Sequence, residues 1–126
     1  MKNETSKKRI LHVDDEQDTL DVVNTLLTKE GYEVVSVSQG TQALKEVESN
    51  GFSLLILDVM MPGMSGWDLF SKIGQIKPDY KVVFLSILEA NEERMKDINA
   101  MGVKDYIRKP FQVDDFISRI NKVIND

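Results

Sequence analysis

Cysteine is absent from the 126 residues, which excludes disulfides, thiolate metal sites and cysteine nucleophiles and makes a reducing, cytoplasmic setting the expected one. No apolar run approaches the roughly twenty residues that a membrane span requires. Residues 1–8 are polar and charged, without the apolar segment of a secretory signal, and read as a short flexible tail ahead of one domain over residues 9–126. An excess of positive charge is lacking as well. Sixteen basic against 21 acidic residues leave a net charge of −5, the wrong sign for neutralising nucleic-acid phosphates, so this domain is expected to contact neither nucleic acid nor membrane. Low-complexity segments, internal repeats and linkers are missing too. One core is therefore the default for a chain of this size, which can bury roughly two thirds of its unfolded surface.

What is present is an alternation of short apolar runs with longer amphipathic stretches. Strands are predicted over 9–13, 33–37, 52–57, 81–85 and 104–107, and helices over 17–30, 41–49, 65–76, 91–101 and 113–125. In the first helix Leu20, Val23, Leu26 and Leu27 recur at helical spacing, and Gly31 follows as a stop. Phe116, Ile117, Ile120, Val123 and Ile124 repeat that pattern in the last. The strands are continuous apolar runs, as a sheet covered on both faces requires. The expected fold is therefore α/β: a doubly wound, five-stranded parallel sheet with five helices and right-handed crossovers.

Such a fold puts its chemistry where strands run out into loops. Asp58 ends the run Leu54-Leu55-Ile56-Leu57, and Asp14-Asp15 ends Ile10-Leu11-His12-Val13. If these strands are neighbours, three carboxylates converge, and the cluster must bind a cation or take up protons. Hard divalent cations suit it, Mg²⁺ first and Mn²⁺ as a substitute. An aspartate can also accept a phosphoryl group as nucleophile, a reaction helped by a fixed cation and a hydroxyl donor nearby. The next two strand ends supply Ser86 and Lys109.

From Lys8 to Asp126 the chain closely resembles the receiver domain of two-component response regulators. The motifs that carry this resemblance are Val13-Asp14-Asp15-Glu16, the loop from Asp58 to Gly66, Ser86, and Lys109-Pro110-Phe111. The resemblance implies a flavodoxin-like, CheY-like strand order 2-1-3-4-5. It makes Asp58 the phosphoacceptor and Asp15 the direct Mg²⁺ ligand, with Asp14 binding the metal or orienting its water and the Met60 backbone carbonyl completing the site. Lys109 pairs with the phosphoryl group, its peptide to Pro110 is cis, and Ser86 bonds a phosphate oxygen while Tyr106 swings inward as the switch aromatic. The implied donor is a sensor histidine kinase or a histidine phosphotransfer protein. Output passes through the face made by the fourth helix, fifth strand and fifth helix, to a downstream protein, to an output domain missing from the chain, or to a second copy in a dimer. The domain is expected not to be an enzyme beyond phosphorylating itself from a donor and slowly losing the phosphate.

Each residue has a plainer reading. Adjacent acids before a helix complement its dipole by about 0.3–1 kcal/mol; Lys-Pro is a turn, a serine after a strand a cap, and Tyr106 a half-buried strand aromatic. His12 reads as a packed strand residue, since the implied metal site is all oxygen, and Met60, Met61 and Met64 read as adaptable packing. Two positions depart from the family pattern: apolar Met60, and Ile87 with Leu88 behind it, where smaller or polar residues are usual. Crowding by these three is expected to exclude water from the acyl phosphate. Competing functions are a Mg²⁺-dependent phosphatase with an aspartate nucleophile, which would need an acid where Met60 stands, and a flavin carrier, whose phosphate Asp14-Asp15-Glu16 would repel. A receiver-like interaction module that works without phosphate is the third alternative.

Overall fold

The computed structural model describes residues 7–49 and 51–126; most of the tail expected at residues 1–8 lies outside them. Five strands, β1 (Arg9–Val13), β2 (Glu33–Val37), β3 (Leu54–Leu57), β4 (Val82–Ser86) and β5 (Asp105–Arg108), alternate with five helices. The helices are α1 (Gln17–Lys29), α2 (Gly40–Ser49), α3 (Gly66–Ile76), α4 (Glu92–Ala100) and α5 (Val113–Asn125). All strands pair in parallel in the order β2-β1-β3-β4-β5, the expected doubly wound topology. The order reverses between β1 and β3, so their following loops diverge and leave a crevice at their C-terminal ends.

Successive strand residues point to opposite faces, and the two faces bury separate cores. Leu11, Val13, Leu55, Leu57 and Phe84 pack with Ala43, Val47, Leu69, Ile73 and Ile98 of α2, α3 and α4. Ile10, Leu54, Ile56, Val83, Leu85 and Ile107 pack on the other side with Val23, Leu27, Phe116 and Ile120 of α1 and α5. The central strands β3 and β4 are buried throughout, whereas edge strand β2 is half-buried at best.

Small shifts from the predicted boundaries have local causes. Ser65 and Asn91 stand outside their helices as caps, their side-chain oxygens accepting the N–H groups of Asp68 and Arg94. Gly31, at φ 96°, stops α1 in the left-handed conformation that favours glycine. Strand β3 starts two residues later than predicted: Phe52 lies under the Arg9 guanidinium, 4.6 Å from its ring centroid, instead of in the ladder. Among the described residues, no helix is long and apolar enough to cross a membrane.

Candidate functional site

The crevice is built by extending the β1 ladder past both strand ends. Asp14 N–H donates to Val37 O of β2 at 3.2 Å, and Asp58 N–H to Val13 O at 3.0 Å, so both acidic residues are anchored by backbone before their side chains act. The side chains are then fixed by one repeated device, in which an oxygen accepts the N–H two residues ahead. Asp14 Oδ1 takes Glu16 N–H at 3.0 Å, Asp58 Oδ1 takes Met60 N–H at 3.2 Å, and Ser86 Oγ takes Leu88 N–H at 3.2 Å.

Asp14, Asp15 and Asp58 each offer an oxygen within 4.8 Å of the others; Asp14 and Asp58 are buried and Asp15 is exposed. Lys109 reaches over from β5, its N–H held by Ser86 O at 2.8 Å. Its ammonium donates to Asp14 Oδ2 at 2.9 Å and to Glu16 Oε1 at 3.1 Å, and stands 3.6 Å from Asp58 Oδ2. The Lys109-Pro110 peptide is cis.

Ser86 and Tyr106 make no hydrogen bond to these carboxylates among the described residues; both bond Leu88 instead. Ser86 is fully buried at the end of β4. The Tyr106 ring is buried against its strand partner Phe84, with ring centroids 6.4 Å apart, and its hydroxyl donates to Leu88 O at 2.7 Å. Met61 and Met64 pack on the core as expected, but Met60 is 51% exposed, because its backbone and not its side chain turns to Asp58. Ile87 and Leu88 are also exposed, at 57% and 42%. Glu16 was legible only as the residue closing an acidic motif; its ion pair with Lys109 needs the two strand ends side by side.

The charges are unbalanced. Burial, then the neighbouring Asp14, push the Asp58 carboxyl up to about 7, and Lys109 offsets only part of this. Burial would raise Asp14 as well, but the approach of His12 and the donors Lys109 and Glu16 N–H outweigh it and hold that carboxyl below its ordinary range. Lys109 is raised, since its carboxylate partners overcome its own burial. A single ammonium thus serves the three carboxylates of Asp14, Glu16 and Asp58, with Asp15 adding its charge to the cluster, and a further cation would relieve the remaining repulsion. The donors are all oxygen, the chemistry that Mg²⁺ takes from one or two carboxylates together with a carbonyl and water. The cluster therefore fits such an ion.

Known proteins agree with this geometry. The family model for the response regulator receiver domain matches residues 10–121. The response regulator SaeR of Staphylococcus aureus is 31% identical over 115 residues, which are 91% of this chain and 50% of that protein, so the chain spans about half the length of the curated relatives it matches. The CheY-like receiver domain protein of Methanospirillum hungatei superposes with a TM-score of 0.86 at 31% identity, covering 95% of each chain. TrrA of Thermotoga maritima, solved in complex with Mg²⁺ and BeF, gives 0.78 at 34% identity over 92% of this chain and 98% of its own. Such domains are in general signalling modules rather than enzymes, and they interact with histidine kinases or phosphotransfer proteins. By its fold, its acidic pocket and these matches, the chain belongs to the response regulator receiver domain family of two-component signalling.

Proposed function

We propose that Asp58 accepts a phosphoryl group from the phosphohistidine of a sensor kinase or phosphotransfer protein. A carboxylate oxygen of Asp58 attacks phosphorus, the P–N bond to the imidazole breaks, and its electron pair stays on the leaving nitrogen, which takes up a proton. The observation that carries this reading is the cluster itself: three carboxylates within 4.8 Å of one another with one lysine ammonium among them. Asp15, Asp58 and the Met60 carbonyl would hold Mg²⁺, with Asp14 on its water. When bound, the ion supplies the positive charge that lets an anionic acceptor meet an anionic donor.

Lys109 is already 3.6 Å from Asp58 and turns to the phosphoryl oxygens as they arrive. The Ser86 hydroxyl gives up its bond from Leu88 N–H to reach the same group. That movement alters the loop whose Leu88 carbonyl holds Tyr106, so the inward ring and the α4-β5-α5 face respond together. The inward Tyr106 is one end of this switch and a ring turned to solvent is the other. A downstream protein, an attached output domain or a second copy would read that face. Phosphate is lost again slowly by attack of water, which makes the domain a self-limiting switch. A substrate-turning phosphatase has less support, because Met60 stands where a general acid is needed.

A phosphotransfer protein carrying labelled phosphohistidine tests the reading. Label is expected to pass to the wild-type chain and not to Asp58→Asn, and equal labelling of the two would contradict it.

A further inference from the structure

Buried polar side chains in folded proteins are almost always hydrogen-bonded. His12 breaks that rule: its side chain is fully buried, and neither ring nitrogen has a hydrogen-bond partner among the described residues. It lies in the middle of the sheet, between Ser36 of β2 and Ile56 of β3. Residues two apart share a strand face, so His12 and Asp14 point the same way. Nε2 stands 3.8 Å from Asp14 Oδ2, close but too far for a hydrogen bond.

That gap matters because of what holds Asp14 now. Oδ2 accepts from Lys109, and Oδ1 accepts only the Glu16 N–H. Under the phosphoacceptor reading, on which this inference rests, the phosphoryl oxygens draw the Lys109 ammonium away. Asp14 would then be a fully buried carboxylate that has lost its side-chain donor. A shift of about 1 Å would bring Nε2–H into hydrogen-bond range. An aliphatic residue, the ordinary occupant of a central strand, offers no such donor.

We propose that His12 is a positioning residue for Asp14: a neutral imidazole whose Nε2–H closes on the carboxylate as Lys109 leaves it, holding Asp14 aimed at the cation site. It touches neither phosphate nor metal and acts only through Asp14.

His12 is the only histidine in the chain, so every imidazole signal of the purified protein belongs to it. Ring ¹⁵N spectra of the whole chain are compared before and after addition of Mg²⁺ with beryllofluoride, a phosphoryl mimic. The Nε2–H proton is expected to move downfield and to exchange more slowly with water. If the amides of Met60 and Lys109 shift while the imidazole does not, the inference is overturned and the phosphoacceptor reading stands. If no amide near Asp58 responds, that reading fails and takes the inference with it. His12→Leu, which keeps the bulk and removes the donor, is expected to lower the phosphorylation rate at saturating donor about tenfold, the usual range for loss of a ligand-orienting partner. His12→Gln, whose amide extends toward the position of Nε2, should recover most of that rate. Equal loss in both variants, or none in either, would assign His12 to packing alone.

Discussion

Lys109 is bonded to Asp14 and only approaches Asp58: its Nζ is 2.9 Å from the first carboxylate and 3.6 Å from the second. The preference leaves Asp58 the less compensated acid and keeps the ammonium available nearby. Removing one partner of a buried pair leaves an uncompensated charge, which costs about 3–5 kcal/mol. Lys109→Met should therefore unfold at clearly lower denaturant concentration than wild type in metal-free buffer at pH 7, with Mg²⁺ restoring part of the loss. The pair's contribution has an acid limit. Asp14 is held below its ordinary value of 3.8, so the stabilisation is complete above that pH and lost as pH falls through the lower folded-state value. An unfolding midpoint unchanged by the substitution would show that the contact carries no stability.

Asp58 has the opposite sign. Its carboxyl is raised from 3.8 to about 7, so the folded state holds this proton more tightly than the unfolded chain does. Without metal, its contribution is most favourable below pH 3.8 and is lost as pH rises toward and through 7. Asp58→Asn should stabilise the metal-free protein at pH 8 by roughly 2–4 kcal/mol, and hardly at all at pH 4. Mg²⁺ must compete with the same proton, so its affinity should fall as pH drops below about 7. Urea titrations at the two pH values, with chelator and with Mg²⁺, check both statements; equal stability of the two proteins at pH 8 would contradict them.

Gly66 has no room for a side chain. A Cβ there would lie 2.2 Å from Asp58 O and 2.8 Å from Val59 Cα, both backbone atoms, while Gly66 N–H is already bonded to Val59 O at 2.8 Å. Gly66→Ala must push the loop that carries Asp58, at a cost of about 1–3 kcal/mol. Thermal unfolding should show the loss, and phosphorylation by a small donor should slow in the same variant. Gly63→Ala is strained for a different reason, its φ of 82°, with open space around it, and should lose stability without that displacement.

Most of the site was legible in the sequence because strand ends are legible. Apolar runs ending in Asp14, Asp58 and Ser86, with the shorter strand before Lys109, name four positions at the C-terminal ends of a parallel sheet, and the sheet order follows from family resemblance. Partners set by strand adjacency were not legible. Glu16 joins Lys109 across 93 residues, and the loneliness of His12 depends on what its two neighbouring strands fail to offer. Nor does sequence say which rotamer Tyr106 adopts, since both a buried and an exposed ring suit an amphipathic side chain. The exposure of Met60 is not legible either, because it is decided by a turn in which its own N–H serves Asp58.

The exposed apolar rim gives a rate prediction. Met60, Ile87 and Leu88 are exposed, and Ile87 shares an apolar groove with Glu16, Val22, Lys109 and Phe111. If this rim keeps water from an acyl phosphate, Ile87→Ala combined with Leu88→Glu should shorten the phosphorylated lifetime several-fold. Loss of adduct followed over time reads it directly, and an unchanged or longer lifetime would remove the rim from the account.

Intact mass after incubation with acetyl phosphate reads whether Asp58 takes a phosphoryl group in a metal-assisted reaction. With Mg²⁺ the wild-type chain should gain one phosphoryl group, and neither the chelator-treated protein nor Asp58→Asn should gain any. An adduct that persists in Asp58→Asn, or none from acetyl phosphate or a phosphohistidine donor, would contradict the account.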